Sequence, residues 1–286
     1  RLCRLTDAAS PLRGKGAFAV CGRDERRGTG EERTMEQQYA IEMRGICKSF
    51  GSVAANKNVN LNVKPGEILA LLGENGSGKT TLMNMLSGIY KPDSGSIFVD
   101  GREVAINSPE DAKKLGIGMV HQHFKLVDVF SAADNIWLGD EKSGGILKKD
   151  RYGVIGEMAR QFGFDIDPRK KVYNMAVSEK QTLEIVKVLY YGARIIILDE
   201  PTAVLTVQET ARLFDVLRRM RASGHAIIII THKLNEVMEI SDRVAILRKG
   251  EYITTVDTAA TSEQALTEYM VGRKVELNID RPVVEK

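Results

Sequence analysis

The sequence predicts an α/β fold on a mostly parallel core sheet, with an antiparallel β patch near its start and a helical subdomain inserted in its middle. Three observations carry this. From Tyr39 onward, strand-like and helix-like patterns alternate, as in chains of βαβ units. Residues 41–46, 59–63 and 96–99 are short alternating strands separated by turn residues, which places the antiparallel patch early. Residues 124–192 carry an almost wholly helical pattern, which marks the insert.

The elements follow in order. Residues 68–72 (Ile-Leu-Ala-Leu-Leu) read as a strand buried on both faces, and the amphipathic stretch 80–86 as the helix after it. Residues 117–120 form a further apolar strand. Ser131 is placed as an N-cap, with helices over 151–162 and 179–191. Residues 195–198 are four aliphatics of a central strand. Thr206 and Glu209 have capping-box spacing and open a helix that ends near Gly224. Strands at 226–231, 243–247 and 252–256 and a closing helix at 262–271 complete the pattern, and no internal repeat is visible. Residues 1–34 lack periodicity and a long apolar core, so they read as a disordered leader that need not be native. Residues 35–272 form the domain, and 273–286 read as a linker.

At 286 residues and 43% hydrophobic content, the chain is long enough to bury a sizeable core. Its longest aliphatic runs are strand-sized, far short of the roughly 20 residues that a spanning helix needs. The net charge of +3 resides in residues 1–34; the remainder balances 33 basic against 33 acidic residues, which gives no sign of a nucleic-acid partner. Cys3, Cys21 and Cys47 show neither metal-ligand spacing nor a disulfide framework, and a reducing compartment fits them best.

Gly73, Glu74, Asn75, Gly76, Ser77, Gly78, Lys79 and Thr80 match G-x-x-x-x-G-K-[ST] between a strand and a helix, with Thr81 following. Glycines at these positions let successive backbone N–H groups converge on phosphate oxygens. The helix start adds positive potential, and Lys79 supplies a point charge for the outer phosphates. Thr80 is placed to ligate Mg²⁺. A Gly-rich turn with an exposed lysine is the bland alternative, and the complete motif with both flanks outweighs it.

Asp199 and Glu200 end the central strand at the edge where parallel sheets hold ligands. Asp199 is placed for the magnesium shell, and Glu200 to orient or deprotonate a water. A helix cap and a surface charge would also account for two adjacent carboxylates. His232 ends another core strand at that edge, suited to a γ-phosphate or its attacking water, although a lone histidine is more often structural. Gln122, after strand 117–120, could reach magnesium and the water, or be an ordinary polar strand end.

Taken together, these residues resemble the ATP-binding cassette family from about Tyr39 to Gly272, which implies a P-loop NTPase fold of that type with ATP and Mg²⁺ as cofactors. By that resemblance Phe50, followed by Gly51, looks like the aromatic that stacks on adenine; a core or turn phenylalanine is the alternative. The stretches 121–124 and 193–206 look closest to the simple-sugar and nucleoside importer branch, where two cassettes usually lie in tandem. The chain stops near a stretch similar to the junction between halves, so it is expected to be the first cassette.

The resemblance implies a head-to-tail pair of cassettes, each ATP lying between one phosphate loop and the other cassette's signature segment. That segment is Met175, Ala176, Val177, Ser178 and Glu179, where the branch usually has Leu-Ser-Val-Gly-Glu. Ala176 lacks the hydroxyl expected to face the γ-phosphate, and Ser178 adds a side chain where close approach is expected. An asymmetric pair follows, with the site that receives this segment weak. Thr206 stands where the family often has aspartate, and its N-cap role accounts for it structurally. The implied partners are the second cassette, integral membrane permease subunits and, indirectly, an extracytoplasmic solute-binding protein, with the chain peripheral on the cytoplasmic face. A soluble cassette ATPase acting on ribosomes or nucleic acid, and a nucleotide-binding module with little hydrolysis, are the competing classes.

Overall fold

The computed structural model describes residues 39–138 and 151–273, all within the unit Gln38–Lys286. The expected leader, residues 139–150 of the insert and the linker after Arg273 lie outside the described residues.

Ten strands form one sheet among the described residues. They are β1 (Ile41–Phe50), β2 (Val53–Val63), β3 (Ile68–Leu72), β4 (Ser94–Val99), β5 (Arg102–Val104), β6 (Ile117–Val120), β7 (Ile195–Asp199), β8 (Ala226–Thr231), β9 (Arg243–Arg248) and β10 (Glu251–Asp257). Their order is β5-β4-β1-β2-β10-β9-β3-β8-β7-β6. The block β9-β3-β8-β7-β6 is parallel throughout. The block β5-β4-β1-β2 is antiparallel, and a single parallel bridge, Glu251 to Lys57, joins it to β10. β1 and β2 run longer than their alternating cores suggest, because register shifts between Met43 and Ile46 and beyond let pairing continue past local irregularities.

Every residue of β3, β7 and β8 is buried, so side-chain alternation sends their apolar side chains to cores on the two faces of the sheet. Leu69, Leu71, Ile195, Ile197, Ile228 and Ile230 face helix α1 (Lys79–Leu86) and the antiparallel block. Ile196, Leu198, Ile227 and Ile229 face helices α5 (Val177–Tyr190) and α6 (Val207–Ala222). Helices α7 (Leu234–Ile240) and α8 (Glu263–Val271) cover β9 and the end of β3. The short helix α2 (Pro109–Lys114) leads into β6.

The insert holds α3 (Ala132–Trp137), α4 (Arg151–Gln161) and α5. Ser131 caps α3 with a complete capping box: its hydroxyl accepts from Asp134 N–H at 3.1 Å, and Asp134 accepts from Ser131 N–H at 3.2 Å. Thr206 and Glu209 form the same box at α6. The insert is less helical than its sequence pattern, because residues 121–130 and 162–171 are irregular. Buried side chains supply the partners that a helix would have given the first of these segments. Asn135 accepts from Val127 N–H at 2.7 Å and donates to its carbonyl at 3.0 Å; Glu184 accepts from Lys125 N–H at 2.9 Å.

The two-faced burial of β8 sets a stability expectation. Ile228→Ala should lower the urea unfolding free energy by about 3 kcal/mol through lost transfer energy and a residual cavity. Val207→Ala, at a position 86% exposed, should stay within about 0.5 kcal/mol in the same titration.

Candidate functional site

The turn from β3 into α1 is shaped by steric exclusion. A Cβ on Gly73 would run into the Leu247 carbonyl and the Ser77 hydroxyl; one on Gly78, at φ 96°, would run into the Ala55 carbonyl. Both positions admit only glycine. Gly78 is also the N-cap of α1 and supplies no side-chain acceptor, so the first-turn N–H groups remain available for another acceptor. Asn56 of β2, buried and not anticipated from sequence, donates to the Gly78 carbonyl at 3.2 Å and ties the antiparallel block to the turn.

Lys79 is 6% exposed. Its ammonium is fully engaged, donating to the carbonyls of Gly73 at 2.7 Å and Glu74 at 2.9 Å, with Ser77 Oγ at 3.5 Å. Burial pushes its pKa down, opposed by the carboxylates of Glu200 and Asp199. Asp199, also buried, is pushed up chiefly by burial, while a hydrogen bond from the neighbouring Thr80 hydroxyl pulls the other way. Thr80, Lys79 and Asp199 thus form one cluster, although they come from α1 and the end of β7.

Parallel register brings Glu200 and His232 to the same edge. Asp199 pairs with Ile230, and Glu200 N–H donates to the Ile230 carbonyl at 2.9 Å, so the residues just past β7 and β8 lie side by side. His232 Nδ1 is 2.8 Å from Glu200 Oε1. An ionised carboxylate only accepts, which puts the proton of this contact on Nδ1. Glu200 Oε2 is buried and has no protein partner. Glu200 itself has φ 49°, in the left-handed region that non-glycine residues rarely occupy.

The remaining anticipated residues are more dispersed. Gln122 follows β6, the strand beside β7, and is exposed in a groove with Phe124, Val177, Lys180 and Val204. Phe50 is 43% exposed at the end of β1 and meets Tyr90 edge-on, with ring centroids 5.1 Å apart. Glu74, Asn75 and Gly76 form the exposed tip of the turn, and Thr81 lies in the first turn of α1.

Met175 is buried, and Ala176 is the extended N-cap of α5, which begins at Val177, two residues before the expected start. Glu179 explains the shift: it accepts from Ala176 N–H at 2.7 Å and pairs with Lys170 at 2.7 Å. Half of a capping box is therefore made, since alanine has no acceptor for the other half. Glu209, at the start of α6, is held below the usual carboxylate range chiefly by the Ser178 hydroxyl beside it, followed by Thr206. The side chain expected to obstruct approach is thus half-buried in a cleft beside α6 of its own chain.

A further network was not legible in sequence, because its members are polar residues far apart in the chain. Thr202, Lys233 and Glu236 join the loops after β7 and β8.

The ABC transporter family matches residues 56–203. The chain is 45% identical over 244 residues to the nucleoside import ATP-binding protein NupA of Lactococcus lactis subsp. cremoris, covering 84% of this chain and 48% of that protein. It is 49% identical over 246 residues to the guanosine import ATP-binding protein NupO of Bacillus subtilis, covering 85% and 48%. The chain spans about half the length of these curated relatives. Among solved structures, cbiO1 from Clostridium perfringens, part of the ABC transporter complex cbiONQ, superposes with a TM-score of 0.68 at 27% identity, covering 77% of this chain and 89% of that one. With glycine-shaped turn, buried lysine and paired carboxylates on one sheet edge, the chain belongs to the ABC transporter family.

Proposed function

We propose that this chain binds and hydrolyses MgATP and thereby energises import of a small polar solute, a nucleoside or a simple sugar, through membrane permease subunits. The observation that carries hydrolysis is Glu200: one oxygen is held by His232, and the other is buried without a protein partner on the edge that carries the phosphate loop. A module that only binds nucleotide has no use for a carboxylate oriented in this way.

Each residue then has a role. The N–H groups from Gly73 to Thr81 and the Lys79 ammonium hold the phosphates, and Phe50 offers its exposed ring to adenine. Lys79 exchanges its contacts with the loop carbonyls for phosphate oxygens. Thr80, Asp199 and Gln122 are the residues that would hold magnesium, and the buried Asp199 suits a cation that keeps it ionised. Magnesium, when bound, neutralises charge on the phosphates. Glu200 Oε2 accepts the proton of an attacking water, and His232 fixes the carboxylate's orientation.

The partners follow from what the chain does not complete by itself. Its signature segment, Met175 to Glu179, would serve a second cassette head to tail, and the lengths of the relatives support that cassette being part of the same protein. Permease subunits would dock at the groove beside Gln122, lined by Phe124, Leu126, Val177 and Val204, and on the exposed Val127, Val129, Phe130 and Leu138 of the segment that follows. No described helix is long and apolar enough to cross a membrane. As an ATP-binding subunit beside permease subunits, the chain would sit peripherally on the cytoplasmic face, reached only indirectly by a solute-binding protein. The names of NupA and NupO favour a nucleoside as the solute.

Three measurements test this reading. Lys79→Ala should weaken MgATP binding at least about tenfold by titration calorimetry, through loss of charge-assisted hydrogen bonds; unchanged binding would refute the phosphate site. Glu200→Gln should keep affinity within about threefold while turnover in the assembled pair falls by about 10²-fold or more. Ala176→Ser combined with Ser178→Gly, in a pair whose other site is disabled, should raise turnover by about 10²-fold. An unchanged rate there would count against the asymmetry.

A further inference from the structure

His232 and Glu200 stand at the ends of two different strands, and their 2.8 Å contact requires the loops beyond those strands to keep a fixed separation. Pro201 and Thr202 follow Glu200, and Lys233 follows His232. Thr202 is 1% exposed, and Glu236, on the first turn of α7, is 9% exposed.

The Lys233 ammonium donates to the Thr202 carbonyl at 2.9 Å and to Glu236 Oε1 at 2.9 Å, with Thr202 Oγ1 at 3.3 Å. The Thr202 hydroxyl donates to Glu236 Oε2. Both carboxylate oxygens are therefore occupied, and one side chain from the β8 loop grips the backbone of the β7 loop. Lys233 N–H also donates to Thr231 Oγ1 at 3.1 Å, which fixes the base of the lysine.

The conformation of Glu200 gives this grip something to hold. A non-glycine residue at φ 49° carries strain and persists only where its surroundings over-determine it. Glu200 N–H is held by Ile230, and its carbonyl accepts from Ala203 N–H at 3.2 Å. Thr202 lies between those anchors, and Lys233 is what fixes its carbonyl. Three apolar side chains could fill the same volume, and a buried ion pair is weak evidence for stability. An apolar side chain cannot bind a carbonyl, however, which is what holding the loop requires.

We propose that Lys233, Thr202 and Glu236 form a clamp that sets Glu200 against His232, with Lys233 a positioning residue for the carboxylate. Its link to turnover rests on the assignment of Glu200 under Proposed function; the clamp itself is a statement about geometry.

The test uses the whole chain labelled with ¹⁵N-histidine. In the unaltered protein, His232 should show its proton on Nδ1, the nitrogen facing Glu200. Lys233→Met should move the proton to Nε2 while MgATP affinity stays within about threefold, and in the assembled pair kcat should fall about tenfold with KM unchanged. Thr202→Val, which removes one hydroxyl, should shift the same signal less and decides the matter if Lys233→Met does not fold. An Nδ1 proton retained in the folded variants overturns the clamp. If the unaltered chain binds no nucleotide, the proposed function falls, and the tautomer signal still decides the clamp.

Discussion

Because β3, β7 and β8 pair in parallel and are buried on both faces, a slip of one residue would exchange the two cores and lift Asp199 and His232 out of line with the phosphate loop. Within the run Ile227 to Ile230 one isoleucine would simply replace another, so the penalty falls at the strand ends, where the slip would draw Asp199 or His232 toward the apolar layers. The ends of the apolar runs therefore do more than close the sheet. They fix the relative height of three loop exits, and the polar contacts between those loops inherit that register.

Charge at the site depends on the same burial. An ammonium and two carboxylates lie near one another in a largely buried site: burial disfavours both the Lys79 ammonium and the ionised Asp199, the attraction between these two offsets part of that cost, and Glu200 repels Asp199 while it attracts Lys79. The loop carbonyls of Gly73 and Glu74 complete the coordination of Lys79. Carbonyls are neutral acceptors, and phosphate oxygens are charged ones, so the lysine is held where it can trade weaker partners for stronger ones without moving far.

The parallel strands were legible because an all-aliphatic run such as 195–198 has few other solutions, and the Ser131 and Thr206 caps because a capping box is written into local spacing. Placing Lys79, Asp199, Glu200 and His232 on one edge needed only the direction of those strands. What could not be read were contacts between residues distant in sequence. Asn135 and Glu184 sit in helical patterns like ordinary polar residues, yet they hold the irregular segment after Gln122. Thr202, Lys233 and Glu236 have no spacing signature, since two loops and a helix bring them together. Sequence patterns report period and caps; they do not report which buried oxygen meets which donor.

Ser178 and Thr206 show the same limit at closer range. Read singly, one is a side chain where glycine is usual in the family, and the other a threonine where aspartate is common. In the folded chain both stand beside Glu209: Thr206 donates through its N–H and hydroxyl at 2.9 Å each, and the Ser178 hydroxyl leads the causes that hold that carboxyl low. The two departures are thus parts of one arrangement that ties the start of α5 to the start of α6. α5 belongs to the insert and α6 to the core sheet's flank, and Ser178 and Glu209 face one cleft where the two adjoin. Local placement accounts for both residues at once: Thr206 caps α6, and Ser178 lies beside the carboxyl that completes that cap.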